Sequence, residues 1–194
     1  MHDMLCDYIL QKTEGKATLS KKERQLIASS FISRTLKKKQ YFLQEGDVSL
    51  YHGYVCKGCL RMYRRDDKGQ EFISQFATEN WWIGDRESIA SGKASKYNID
   101  ALEDSELLLI TKAGFETLTQ SIPALQLLTQ IISHNNIIAS QNRIHAAISY
   151  SAEEKYLDFL CTYPDMIERL PQHMIASYLG ITRETLNRVI KQFK

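Results

Sequence analysis

Hydrophobic and polar positions follow three rhythms along the chain, and each predicts a different kind of element. Ser20-Lys21-Lys22-Glu23 has the spacing of a capping box, with Leu26, Ile27, Ser30 and Phe31 following at helical intervals. That predicts a helix over about 20–33. Over 41–111 the texture changes to short β-rich runs, YFL, LYHGYVCK, CLRMYRR, QEFISQF, YNIDAL and ELLLIT. Turn sequences at Glu45-Gly46-Asp47, Lys57-Gly58 and Asp66-Asp67-Lys68-Gly69 divide them, which predicts a compact antiparallel β-roll or barrel. Residues 112–120 read as a short helix. Beyond Pro123 a long helix is expected to about 147, with Ala124, Leu128, Ile131, Asn135, Ile138, Asn142 and His145 recurring in steps of four and three. Such a heptad seam either pairs with a second copy in a parallel dimer or packs on the chain's own β-roll. Asn135 and Asn142 at seam positions would fix register and a two-stranded state.

A second capping box, Ser151-Ala152-Glu153-Glu154, opens a helix to about Tyr163. Its apolar residues Tyr156, Leu157, Phe159 and Leu160 are expected to floor a small C-terminal domain, and Pro164 and Pro171 punctuate the chain beyond it. Residues 171–191 read PQHMIASYLGITRETLNRVIK. Ile175, Leu179, Ile181, Leu186, Val189 and Ile190 fit two short helices sharing one core, and Gly180 stands where the turn between them needs positive φ. Thr182 supplies an N-cap hydroxyl for the second helix, and Arg183, Glu184, Asn187 and Arg188 project from its N-terminal, outward half. Arg can donate two bonds to guanine O6 and N7, and Glu can accept from cytosine N4. The plainer alternative is a helical hairpin with a solvated charged face.

The stretch ITRETLNRVIK, preceded by ASYLG, resembles the DNA-reading motif of the Crp/Fnr family of bacterial transcription regulators. Phrases such as KGCLRMY, GQEFISQF, NWWIGD and ALEDSELL resemble a subgroup common in Bacteroidetes-type bacteria. The resemblance covers most of the chain and implies an α+β fold: an N-terminal jelly-roll β-barrel, a long dimerisation helix and a C-terminal helix-turn-helix. It implies an effector domain over 1–150 and a DNA-binding domain over 151–194. Arg183, Glu184 and Arg188 match the family's base-contacting positions, and Gln172 and His173 match phosphate-contacting positions. The partners it implies are double-stranded DNA with a palindromic operator of the TGTGA half-site type, a second copy of the chain, a small-molecule effector of unknown identity, and RNA polymerase. Many members carry a β-hairpin wing after the reading helix, and with Lys194 following so closely a full wing is not expected.

Composition sharpens this picture. The 194 residues are 43% hydrophobic, enough for a globular core, and no apolar run is long enough for a membrane span. The opening MHDMLCDYILQKTEGK lacks the basic start and apolar core of a signal peptide, so a cytoplasmic protein is expected. The net charge of +2 is uneven: over 169–194 five Lys or Arg face one acid, Glu184, giving +4 there and −2 elsewhere. Positive charge therefore gathers at the expected reading helix, as phosphate neutralisation requires. A second basic run, Arg34, Lys37, Lys38 and Lys39, reads first as a solvated linker, with DNA contact as the alternative.

Members of the family that bind cyclic nucleotides hold the ribose with a Gly-Glu pair and the cyclic phosphate with an Arg followed by Ser or Thr. Here Gly84-Asp85 and Ser95-Lys96 stand at those places, so the phosphate Arg is missing and the acid is one carbon shorter. Lys96 is a point charge and does not reproduce the Arg fork. A pocket repurposed for another molecule, or vestigial, is expected. Its candidate polar groups are Asp85, Arg86, Glu87, Lys96 and Tyr97, with Ser140 from the long helix, and each has a plain reading as a surface residue. Trp81 and Trp82 are expected to pack in the core on opposite faces of a strand.

Cys56-Lys57-Gly58-Cys59 could supply two metal ligands or a redox pair, but Cys6 and Cys161 stand alone and a second ligand pair is lacking. A Lys-Gly turn flanked by two buried thiols explains the motif without metal, and the five histidines have no ligand spacing. No metal, cofactor or enzymatic activity is expected. A thiol oxidoreductase remains as an alternative of another class, as does a signalling module whose helix-turn-helix docks protein rather than DNA.

Overall fold

The computed structural model describes residues 1–193. They divide into two compact units, Met1–Arg64 with Gln75–His134, and Arg65–Ser74 with Asn135–Lys194, of which Lys194 lies outside the described residues.

The first unit holds the expected β-roll. Its strands, apart from residue 65 and residues 71–74, which group with the second unit, are β1 (Ile32–Leu36), β2 (Tyr41–Leu43), β3 (Tyr51–Lys57), β4 (Leu60–Arg65), β5 (Glu71–Ala77), β6 (Trp82–Ile83), β7 (Asn98–Ala101) and β8 (Ser105–Thr111). They form two four-stranded sheets of order β1-β8-β3-β6 and β2-β7-β4-β5, and the ladders, such as Gly53↔Leu109 and Met62↔Ile99, are antiparallel. Alternation along β3 and β8 sorts the side chains. Val55, Leu107 and Leu109 pack between the sheets with Leu60 and Ile99, while Tyr54, Cys56, Leu108 and Ile110 face a helical layer. Strands buried on both faces must be apolar at every position, which is why LLLI appears as an unbroken run.

The helical layer comprises α1 (His2–Lys12), α2 (Lys21–Ser30) and α4 (Lys112–Ser121), with Ala124, Leu125 and Leu128 from the start of α5 (Pro123–Ser149). A short α3 (Arg86–Ser91) links β6 to β7. Ser20 and Glu23 form the capping box of α2 as expected. The helix stops at Ser30 rather than near 33, because Ile32–Leu36 is recruited as β1 along β8. Arg34 therefore lies in an edge strand, with its guanidinium over the Phe42 ring, and the basic run is not wholly a linker. Trp82 packs against Phe31, Tyr54 and Phe115, whereas Trp81 packs with the inter-sheet core, so the tandem does straddle a strand.

The second unit contains α6 (Ala152–Thr162), α7 (Met166–Arg169), α8 (Gln172–Leu179) and α9 (Arg183–Gln192). Ser151 and Glu154 cap α6 reciprocally, and Phe159 forms an aromatic trio with Tyr163 and Tyr178, ring centroids 5.2–5.7 Å apart. Of the residues expected to floor this domain, Tyr156 and Phe159 are buried but Leu157 is 43% exposed. One residue of helix turns a side chain about 100°, and here Tyr156 and Phe159 take the inward arc while Leu157 falls outside it.

The long helix divides the expected seam. Ala124 and Leu128 are consumed by the roll's own core, while Asn135, Ile138, Asn142 and His145 are exposed. Ile137, Ile144 and Ile148 add a second exposed apolar row that the heptad pattern did not include.

Candidate nucleic-acid interface

The turn between α8 and α9 is built from main-chain bonds. Gly180 has φ 66°, its N–H donates to Ser177 O, and Ile181 N–H donates to Ala176 O at 3.1 Å. This is a Schellman closure, which requires the left-handed conformation that glycine adopts without steric cost. Two residues later Thr182 caps α9, its hydroxyl accepting from Thr185 N–H at 3.1 Å. Ile175, Ala176 and Leu179 of α8 are buried, as are Leu186 and Val189 of α9.

With Leu186 and Val189 turned inward, 183, 184, 187 and 188 share an arc of about 140° on the other side of α9. Arg183, Glu184 and Arg188 are exposed and Asn187 is half-buried. Lys191 is exposed too, extending the basic face one turn further; spacing alone could have included it. Glu184 accepts from its own main-chain N–H and then from the Thr182 hydroxyl, and both bonds hold its carboxyl below the ordinary value. It is thus an ionised acceptor throughout the neutral range. Gln172 and His173 are exposed in the first turn of α8, which has no side-chain cap, so amides there are open to an anion. Thr182 is committed mainly to capping, its hydroxyl accepting from Thr185 N–H and lying 3.1 Å from Thr185 Oγ1.

The candidate effector residues gather around α3. Asp85 is 6% exposed, and its carboxylate accepts from Glu87 N–H, Ser88 N–H and, at 2.7 Å, the Ser95 hydroxyl. It is the helix cap, with its acceptors already engaged. Gly84 before it has φ 146°, and an added Cβ would stand 3.0 Å from Tyr51 O. Arg86, Glu87 and Lys96 are exposed, and Tyr97 is half-buried with the Arg64 guanidinium 5.7 Å from its ring centre. Asp85, Glu87, Lys96 and Tyr97, together with Ser91 and Lys93, line a cleft with only about 20 Å³ of water-accessible space. That is room for about one water, against the several hundred cubic ångströms of a typical small-molecule site. Ser140 is exposed on α5 and falls in the other compact unit.

The Cys56 thiol is held in its protonated form. Cys56 and Cys59 are buried, neither is in a disulfide, and burial pushes the Cys56 thiol up to about 11. Among the described residues no three His, Cys, Asp or Glu side chains gather as a metal site, and no helix is long and apolar enough to cross a membrane.

Comparison with known proteins agrees with this geometry. Residues 33–121 match the family model of the cyclic nucleotide-binding domain. Transcriptional regulatory protein btr of Bordetella pertussis is 24% identical over 147 residues, which is 70% of this chain. The match spans 60% of that protein, less than two thirds of its length. FixK2 of Bradyrhizobium japonicum superposes with a TM-score of 0.69 over 84% of each chain at 17% identity. A protein of Eubacterium rectale assigned to the Crp/Fnr regulators superposes with a TM-score of 0.64 at 19% identity, over 90% of this chain and 83% of that one. Residues 33–121 thus resemble a cyclic nucleotide-binding domain, and the chain is similar in sequence to the btr regulator and in fold to Crp/Fnr-family transcription regulators.

Proposed function

We propose that the chain is a homodimeric, sequence-specific DNA-binding transcription regulator of the Crp/Fnr type, acting in the cytoplasm. The observation that carries this is α9: a capped helix whose inner face is buried and whose outer face presents Arg183, Glu184, Asn187 and Arg188 together. A recognition helix reads base edges in the major groove from its N-terminal half, where these residues stand. Arg183 and Arg188 would read guanine, Glu184 cytosine, and Gln172, His173 and Thr182 would contact the backbone. The functional boundary falls near Tyr150, with 151–194 as the DNA-binding domain and 1–150 as the effector domain and dimerisation helix.

The exposed isoleucines of α5 support a second copy as the partner of that helix. Two heads related by a two-fold axis suit a palindrome with half-sites one helical turn apart. In the β-roll, the small cleft and the engaged Asp85 support a regulator that reads DNA without a cyclic nucleotide.

Selection of bound sequences from a random double-stranded library, with no ligand added, tests the whole reading. Enrichment of a palindrome is expected. Arg183→Ala or Arg188→Ala should then cost about 1–3 kcal/mol and relax preference at one base pair. Equal weakening on the selected site and on random DNA would remove base reading from those residues.

A further inference from the structure

We infer that the groove between the α1–α2 loop and the start of α5 is a binding site for a small aliphatic zwitterion of the amino-acid class, held by Lys16 and Glu23 over Ala17, Ala124 and Leu127. Every residue in it belongs to the first compact unit, so the inference stands apart from DNA reading.

The groove follows from how the chain leaves α1. Glu14 and Gly15 both take positive φ, 52° and 72°, which turns the chain directly after the helix. Thr13 anchors this turn from below: it is fully buried, and its hydroxyl donates to Ile9 O at 2.9 Å. Lys16 N–H then closes the turn by donating to Thr13 O at 2.8 Å. Ala17 and Leu19 pack on the same core cluster as Ala124 and Leu125, so the loop and the first turn of α5 share one floor. Between them lies a space of about 480 Å³. A typical small-molecule site has roughly 300–1,000 Å³, so this groove has the room that the cleft beside α3 lacks.

The lining selects the chemistry. Ala17, Ala124 and Leu127 supply apolar surface, and Lys16 and Glu23 add one charge of each sign. An aliphatic amine would meet Lys16, and an aliphatic acid would meet Glu23, each as an uncompensated like charge. A zwitterion satisfies both. Glu23 is ionised in the neutral range, because the Ser20 hydroxyl, and after it the Ser20 N–H, hold its carboxyl below the ordinary value. Both bonds go to Oε2, at 2.5 and 2.8 Å, and Oε1, which no described residue engages, is left to accept from a ligand ammonium. Lys16 pairs with Glu14 at 3.3 Å, with both side chains exposed. A pair in that setting contributes little, so the Lys16 ammonium turns to a ligand carboxylate at small cost. The aliphatic part of the ligand then covers Ala124 and Leu127, where each buried methylene adds to affinity.

The test titrates the isotope-labelled full chain with L-leucine, L-leucinamide and 4-methylpentanoate, which share a side chain and differ in their charges. L-Leucine is expected to shift the amide signals of 15–18 and 124–127 saturably. The two analogues should bind at least about tenfold more weakly, the scale of one lost hydrogen bond to a charged group. Lys16→Gln should weaken L-leucine about tenfold without weakening leucinamide. Glu23→Gln keeps a side chain that closes the capping box, and should weaken L-leucine about tenfold without weakening 4-methylpentanoate. No saturable shift in these segments at millimolar L-leucine, or shifts centred elsewhere, overturns the site. Equal binding of the three compounds overturns recognition of a zwitterion. The analogue series needs no variant to fold, and no readout involves DNA, so failure of the DNA-reading proposal and failure of this one are separate results.

Discussion

Gly58 sits between Cys56 and Cys59 with φ 98°, and an added Cβ would lie 2.8 Å from the Cα of Ser105. The motif is therefore shaped by a close main-chain approach between the β3–β4 turn and the start of β8, with the thiols filling space on either side. Gly58→Ala should destabilise the protein by about 2–4 kcal/mol, since it adds both a left-handed strain and a backbone clash. Urea unfolding measures this, and a loss below 1 kcal/mol would mean the turn can open without disturbing β8. His52 gives a second residue-scale prediction. Burial, and after it the Arg86 charge, lowers its pKa, and its ring lies against Phe115 at 5.5 Å. The native state thus favours neutral imidazole, so its stabilising contribution is complete above the unfolded value of about 6.5 and is lost as pH falls through and below it. Between pH 7.5 and 5 the urea midpoint should fall more for the parent than for His52→Gln. Parallel curves would contradict the assignment.

At the scale of single elements, the helices with local stop and start signals were legible in the sequence. Ser20 with Glu23, Ser151 with Glu154, Gly180 and Thr182 each act through bonds to neighbours within a few residues, so their pattern survives without knowledge of the fold. Segments whose state depends on distant partners were not legible. β1 carries ISRTL, exposed at its first four positions, and becomes a strand only because β8 offers its edge. β6 is two residues long and α1 has no side-chain cap; the core burying Leu5, Cys6 and Ile9 is assembled largely from strands and helices later in the chain. The DNA-facing residues could be placed by helical spacing, whereas the groove that joins Lys16 and Glu23 to Leu127 could not, since its two walls are distant in sequence. The cap of α9 is itself testable. Thr182→Ala removes the acceptor for Thr185 N–H and should cost about 1 kcal/mol of stability, while Thr182→Asp should restore most of it. Thermal melting of the pair reads the difference. Equal loss in both variants would show that the hydroxyl acts elsewhere.

Across the whole molecule, α5 asks for a partner along its distal half. Ile137, Ile144 and Ile148 are 60%, 62% and 82% exposed, and Ile138 is 42% exposed. The first and second of these are seven residues apart and the third follows four later, so they share one helix face. Fully burying one such side chain contributes roughly 1.5–3 kcal/mol, and four per subunit, doubled by a two-fold axis, can support association against its entropic cost. Ile144→Glu places a carboxylate in the middle of this row, where a second copy would have to bury it unpaired. Sedimentation should show the parent as a dimer at micromolar concentration and the variant as a folded monomer, with an unchanged far-ultraviolet circular dichroism spectrum. Affinity for a palindrome should then drop at least about a hundredfold, because two linked heads become two separate ones, while binding to a single half-site changes little. The salt dependence should report the same loss, its slope falling by about half as one head's phosphate contacts disappear. A variant that remains dimeric would place the two-fold contact elsewhere, and a monomer that still binds the palindrome as tightly as the parent would mean that each head reads its half-site alone.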